Sequence, residues 1–323
     1  MNRKIIFLFL FYSLFDYAQI SGCTDVYAKN YNPNATQNDG SCIYKKEKIK
    51  LTPSFSLDKK LVETSGLIHW NNRLWTHNDD TDTNLYALDT INGSILETYP
   101  LPNVINKDWE EIAQDKDFIY IGDFGNNAAG RRTDLNILRI EKNSLLVNNP
   151  VIEYIKFKYE DQEDFEFHFS NSTNFDCEAF VITHDSICLF TKEWKNKQTT
   201  MYLLPKVPGD YIARRKQTYN IKGLVTGATY FESKKIVALC GYTKTGRPFI
   251  NLFYDFQQDN FFSGNKRKIK LKPRFYQIEG ISTQDGLHYY ITNEHLNYIL
   301  INHPQEMHVL DFSRYLKSYL KQK

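Results

Sequence analysis

From residue 63 onward the chain alternates short apolar runs with polar breaks, and the alternation recurs. Five segments open with a polar residue, then a small or acidic one, then an apolar one: Ser65-Gly66-Leu67, Glu110-Glu111-Ile112, Glu178-Ala179-Phe180, Thr226-Gly227-Ala228 and Glu279-Gly280-Ile281. Each leads, 13 to 16 residues on, to a second polar position closing a strand-like run: Asn78, Asp123, Glu193, Tyr242 and Glu294. A third strand follows in each unit, read at Asn84–Leu88, Leu135–Ile140, Thr200–Leu204, Phe249–Phe253 and Tyr298–Ile301, and a more polar fourth is read at Val151–Phe157 and Lys268–Leu271. Four short strands per unit at a period of tens of residues is the pattern of propeller blades. The expected fold is an all-β, five-bladed β-propeller over residues 49–315, with six blades as the alternative should the long 110–178 interval hide one. Within that interval the run 160–167 reads as an acidic insertion. Residues 50–57 have no unit of their own and are expected to close the ring as an outer strand of the last blade, which removes an exposed sheet edge.

Upstream the pattern changes. Asn2-Arg3-Lys4 precedes an apolar stretch from Ile5 to Phe15, too short to span a bilayer, so residues 1–18 read as a signal peptide cleaved after Ala18. Ile20-Ser21-Gly22-Cys23 also reads as a lipobox, the alternative being a cell-surface lipoprotein acylated at Cys23. Either way the protein is expected outside the cytoplasm, secreted or periplasmic in the first case. Residues 22–43 are polar and bounded by Cys23 and Cys42. A segment that small cannot build a core, and a Cys23–Cys42 disulfide is the expected staple. The segment resembles the Gly-Cys-Thr-Asp…Asp-Gly-Ser-Cys module found near the ends of secreted Bacteroidota proteins. Its Asp25, Asn30, Asn32, Asn38 and Asp39 could offer oxygens to Ca²⁺ or simply make Asx turns. Residues 44–48 read as a linker and 316–323 as a basic C-terminal tail. Cys177 and Cys188 flank one hairpin, either paired or as buried thiols.

Composition narrows the class. Of 323 residues 41% are hydrophobic and 15% aromatic, with 22 Tyr and 22 Phe, which suits pleated, half-buried surfaces. A net charge of +2 argues against a dedicated nucleic-acid binder, and the run Lys266-Arg267-Lys268 reads as a solvated strand face.

In a blade the start of the first strand and the end of the second lie at the same mouth. Glu110, Glu178 and Glu279 with Asp123, Glu193 and Glu294 are therefore expected to bring six carboxylates to one axial opening, with Asp108, Asp176 and Glu63 just upstream. At ~6 Å and an effective dielectric near 20 each like-charged pair costs about 3 kcal/mol, so a hard cation is the natural counterpart, and Ca²⁺ suits a His-poor oxygen set. The alternative is that these acids cap strand ends or pair with Arg73, Arg131, Arg132 and Lys192. Ligand contacts are expected from Asn78, Lys192 and Tyr242, and from Arg131 and Arg132 at the end of a Gly/Asn-rich loop able to hold an anion. Trp75, Trp109 and Trp194 stand beside the polar positions, either stacking on sugars or packing between blades.

Glu63-Thr64-Ser65-Gly66-Leu67, Asp108-Trp109-Glu110-Glu111-Ile112-Ala113, Asp176-Cys177-Glu178-Ala179-Phe180 and Ile278-Glu279-Gly280-Ile281 resemble the inner-strand motifs of secreted bacterial propellers of the phytase-like or esterase-like type. The resemblance implies a Ca²⁺-loaded acidic mouth and phosphoester hydrolysis by metal-activated water. The chain departs from it in blade number, in lacking an Asp-Asp-Pro segment, and in carrying Ser65 and Thr226 where acids are expected. A monomeric Ca²⁺-dependent binding or interaction module, taking an extracellular carbohydrate or phosphorylated small molecule, is the leading expectation, with a Ca²⁺-dependent hydrolase as the alternative. Asp89-Thr90-Ile91 and Asp185-Ser186-Ile187 resemble Bacteroidota O-glycosylation acceptors.

Overall fold

The structure, a computed structural model, describes residues 19–272, 274–298 and 301–322. The expected signal peptide, residues 1–18, lies outside the described residues.

The domain is all-β apart from short helical pieces. The first sheet runs Thr64–Trp70, Arg73–Asn78, Asn84–Leu88 and Ile95–Pro100, each strand antiparallel to the next. The second is Trp109–Gln114, Phe118–Asp123, Asn136–Glu141 and Ile152–Tyr159, and the third Cys177–Ile182, Ser186–Thr191, Thr199–Pro205 and Gly209–Tyr219. Their outer strands pair in parallel from Ile155 opposite Gly209 to Tyr159 opposite Ala213, joining the two sheets into one of eight strands. The fourth sheet is Leu224–Phe231, Ile236–Tyr242, Pro248–Tyr254 and Asn265–Lys272, and the fifth Ile278–Thr283, His288–Asn293 and Glu306–Asp311. The first strands of these sheets neighbour one another in chain order, and the fifth returns to the first. The result is a propeller-like ring.

The segment expected to close the ring does so in two pieces. Ser54–Ser56 pairs with Glu306–His308 as the outer strand of the fifth sheet, while Glu47–Lys50 pairs in parallel with Ile269–Lys272 of the fourth. Residues 44–48, expected as a linker, thus supply the start of a strand. The fifth unit also departs from expectation: its third strand is Glu306–Asp311, and the apolar run around residue 298 instead forms a small hairpin, Leu296–Tyr298 with Ile301–His303, in which Tyr298 is exposed. An apolar run of that length carries no information about which partner strand it meets.

The cores lie between sheets. Trp75 and Trp109 are fully buried with Ile112, Ile121 and Leu138 between the first two, so these tryptophans pack rather than face a ligand. Cys177 and Cys188 are buried free thiols. The C-terminal residues form a helix, Ser313–Gln322, whose Tyr315, Leu316 and Tyr319 recur at helical spacing and bury against the fourth and fifth sheets.

The Cys23–Cys42 disulfide is present, with Cα atoms 4.8 Å apart. Around it the Asx side chains serve turns: Asp25, Asn32, Asn38 and Asp39 each accept from the backbone N–H two residues on. The other Asp25 oxygen accepts from the hydroxyls of Tyr44 (2.8 Å) and Tyr254 (2.7 Å), and Asn38 Nδ2 donates to Asp255 (2.9 Å), so the segment is tied to the fourth sheet. Turn chemistry and docking employ the oxygens that a cation would have used.

Candidate functional site

The repeated polar positions owe their placement to a backbone irregularity. In the second sheet Trp109 pairs with Asp123 and Glu111 with Gly122, leaving Glu110 as an extra residue. The same slip leaves Glu178 between Cys177 and Ala179, Thr226 between Val225 and Gly227, and Glu279 between Ile278 and Gly280. In the first sheet it falls between Ser65 and Ile68, where Gly66 takes a φ of 67°. A β-bulge re-aims the side chain of its extra residue, and in four of the five sheets that extra residue belongs to the same sequence column. Gly66 also lets the first two sheets approach: a Cβ there would run into Ile112 N.

Serine and threonine in this column have a different duty. Ser65 donates to the Glu110 carbonyl, and Thr226 donates to that of Ile278. They clasp one sheet to the next.

Beyond the bulge the hairpins of the first, second, third and fifth sheets are closed by another backbone bond: Asp79 N to Glu63 O, Gly125 N to Asp108 O, Lys192 N to Asp176 O and Glu294 N to Gln277 O. These pairs, with the bulge acids, form the site. Glu110, Asp176 and Glu178 can place one oxygen each within 4.8 Å of the others, and so can Glu63, Asp79 and Glu294. The first set is buried and the second half-buried. Glu279 feels both sets, the charges of Glu294, Glu178 and Asp79 adding to the effect of its burial.

Lys192 lies at the centre. Its ammonium is paired with Glu178 and faces the rings of Trp194 (4.8 Å) and Tyr242 (5.4 Å), while Trp194 Nε1 donates to Asp176 at 2.7 Å. Desolvation works against this charge, but Glu178, Tyr242, Glu279 and Asp176 outweigh it and hold the lysine well above its ordinary pKa. One lysine does not offset so many acids. Burial, then the neighbouring Glu178, Asp108 and Asp176, pushes Glu110 well above the carboxylate range. Glu178 and Glu279 move the same way, chiefly by burial. Burial and nearby acids bring Asp108 to about 6, Asp79 to about 7 and Glu294 to about 8.

Three expected members of the second column belong elsewhere. Glu193 accepts from Thr200 Oγ1 at 2.6 Å and is in neither carboxylate set; its neighbour Lys192 holds the inward position. Asn78 donates to Lys60 O (2.7 Å) and Asp82 (2.9 Å), and Asp79 is the residue in the set. Asp123 is paired with Arg132 at 2.8 Å. For Glu193 and Asn78 the cause is common: side chains alternate faces along a strand, so a one-residue error in where the hairpin closes exchanges the inward residue for its neighbour. Asp123 differs, since the residue after it is the core Phe124 and its own carboxylate is taken by Arg132. The Asp79-Asp80 doublet was the available signal for Asp79, but nothing in sequence marks which acid turns inward.

The loop after Asp123 folds against the mouth. A Cβ at Gly125 would run into the Glu110 and Asp108 carboxylates, so only glycine allows this approach. Arg132 spends its guanidinium on Gly125 O (2.9 Å), Asp123 and Asp134 (3.1 Å), and is thus a tie within the loop rather than a free anion ligand. Arg131 faces Phe167 at 5.7 Å and lines, with Asp108 and Asn126, a cavity of about 460 Å³ beside the acids.

Glu111 performs a task the sequence did not disclose. Fully buried, it accepts from Ala228 N at 2.6 Å and Ile112 N at 3.0 Å, and so ties the second sheet to the fourth across the ring. Burial holds it well above the ordinary carboxylate pKa even so. Beyond it a cavity of about 80 Å³ is lined by residues of all five first strands.

No family model matches the chain, and no curated protein matches it. Similar solved structures include the computationally designed Ika4 protein (11% identity, 62% of this chain and 96% of that one, TM-score 0.32) and the WD40 repeats of RRP9 (8%, 80% and 97%, 0.42). Hsv2 of Kluyveromyces lactis is a third (12%, 79% and 63%, 0.34). Likeness at this level concerns the fold alone. No helix among the described residues is long and apolar enough to cross a membrane.

Proposed function

We propose that the chain is an exported five-bladed propeller that binds a hard divalent cation, Ca²⁺ first, at its acidic mouth, and that it serves as a ligand-binding module rather than a purely structural one. The observation that carries this reading is the pair of carboxylate sets, Glu63-Asp79-Glu294 and Glu110-Asp176-Glu178, each with its oxygens within 4.8 Å of one another. Oxygens so spaced fit around an ion that takes ligands at about 2.3–2.6 Å. Glu178 of the buried set is already paired with Lys192, whereas no ion pair engages the half-buried set among the described residues, so Glu63, Asp79 and Glu294 are the favoured cation ligands. The cavity lined by Asp108 and Arg131, on the side of the mouth that carries Glu110, gives an anionic ligand room next to the acids. The Cys23–Cys42 disulfide fits an oxidising compartment and so supports export.

Thermal melting in chelator and in millimolar CaCl₂ tests the reading. A Ca²⁺-dependent rise in Tm that Glu294→Gln removes is expected; identical curves would reduce the mouth to architecture. Turnover of phosphomonoesters that requires Ca²⁺ and disappears with Glu294→Gln would replace the binding module with the hydrolase.

A further inference from the structure

A second charged region lies on the outer edge of the fourth sheet and has no part in the acidic mouth. Parallel pairing of Glu47–Lys50 with Ile269–Lys272 sets Lys48 opposite Lys270 and Lys50 opposite Lys272. Like charges directly opposite each other in a sheet repel. Arg247 and Arg274 join Lys48, Lys50 and Lys272 around a concavity of about 490 Å³ whose lining holds no acidic residue, with buried Leu51 as its apolar element. None of these six cations forms an ion pair among the described residues, although most other arginines of the domain do. Within the same strand Lys268, flanked by Lys270 and Lys222, is lowered to about 7, first by burial and then by those two charges. Lysines on an edge strand guard against sheet-to-sheet association, which accounts for Lys48 and Lys50. It does not account for Lys272, Arg247 and Arg274, which come from other segments and converge on the same hollow.

We infer that this basic hollow is a binding site for an anionic polysaccharide, its carboxylate or sulfate groups seated between the cross-strand lysine pairs. Charge complementarity is the first argument. Successive lysines on one face of a strand stand about 6.6 Å apart and the two strands about 4.8 Å, so four ammonium groups form a short ladder suited to repeated anions. The second argument is what the hollow lacks. Among the described residues no aromatic side chain lines it; the nearest exposed ring, Phe275 beside Arg274, lies against Gly246, and one ring at the rim offers no row of platforms for successive nucleic-acid bases and no apolar face broad enough to anchor in a lipid interface.

The test uses the mature full-length chain and a heparin-derived hexasaccharide and an oligoguluronate as probes, titrated at about 50 and 200 mM NaCl. A 12-mer of oligodeoxythymidylate is the nucleic-acid comparison. Binding of at least one glycan is expected, weakening with salt, and lost about tenfold or more in Lys48→Ala/Lys50→Ala/Lys272→Ala. It should change less than about twofold in Lys59→Ala/Lys116→Ala/Lys216→Ala, which removes the same three charges from exposed positions elsewhere. Melting curves establish that both variants fold, and Arg247→Ala alone, should the triple variant not fold, must weaken binding as well. No glycan binding, equal losses in both variants, or tighter binding of the oligonucleotide would each overturn the assignment. Chelator has no effect on this site, which separates it from the cation-binding mouth.

Discussion

The acidic mouth and the basic hollow are both gatherings of like charge, and they are managed in opposite ways. At the mouth the carboxylates are mostly buried, and the protein answers within its own structure: Lys192 is buried among them, and acids such as Asp79 and Glu294 hold protons into the neutral range. In the hollow Lys48, Lys50 and Lys272 are exposed, and no carboxylate is supplied. Water and salt screen exposed charges at little cost, but a buried charge without a counterpart costs several kcal/mol. The comparison teaches that neutralisation is built in where solvent cannot provide it and is left to solvent or a ligand where it can.

Removing the built-in cation breaks this contrast most severely. Lys192→Met leaves Glu178, Asp176 and Glu279 facing one another and is expected to destabilise the domain by about 3–5 kcal/mol, read by urea unfolding. Adding Glu178→Gln should restore part of that loss. A bound cation comes next. At a hundredfold excess over Kd, Ca²⁺ should stabilise by about 2.7 kcal/mol, measured as the Tm shift against chelator. The shift should grow with pH. Asp79 and Glu294 have folded pKa values near 7 and 8, above the range of an unfolded chain, so their contribution in chelator is complete below about pH 4 and is lost as pH rises through 8. Ca²⁺ must then raise Tm more at pH 8 than at pH 5, and an equal rise at both would deny that the ion replaces protons.

Glu111→Gln sharpens the comparison from the other side, since this acid is buried without a cationic partner. The amide keeps one acceptor oxygen for two backbone donors, and a cost of about 1–3 kcal/mol is expected in unfolding experiments. The smallest effect belongs to the hollow: Lys48→Ala with Lys50→Ala should alter stability by no more than about 0.5 kcal/mol, with any gain largest at low salt. A loss of several kcal/mol there would show that the lysines hold the sheet together.

Much of this was legible beforehand for identifiable reasons. The five first-strand motifs could be read because each places a polar residue before a small or apolar one at the same point of a hairpin, and four of those residues are the extra residues of bulges. The closing role of residues 50–57 was legible in outline, since a strand without a unit needs a partner; its division between two sheets was not. Errors gathered where one residue matters. Glu193 and Asn78 stand next to the residues that turn inward, and hydrophobic periodicity locates a strand end only to within such a margin. Arg132 illustrates a different limit, because a guanidinium beside an acid reads the same in sequence whether it binds a ligand or ties its own loop.

Local chemistry was therefore the sequence's own contribution: β-rich repeating units, a short cysteine-bounded segment that requires a staple, and acids at recurring positions, all of which follow from side-chain type and spacing along one strand. Tertiary structure decided which acids meet, that Lys192 rather than Glu193 stands among them, that Glu111 ties opposite sides of the ring, and that two lysine-bearing strands run side by side. Those outcomes depend on the register between strands far apart in the chain, and register is set by bulges and by packing between sheets, which no single segment encodes.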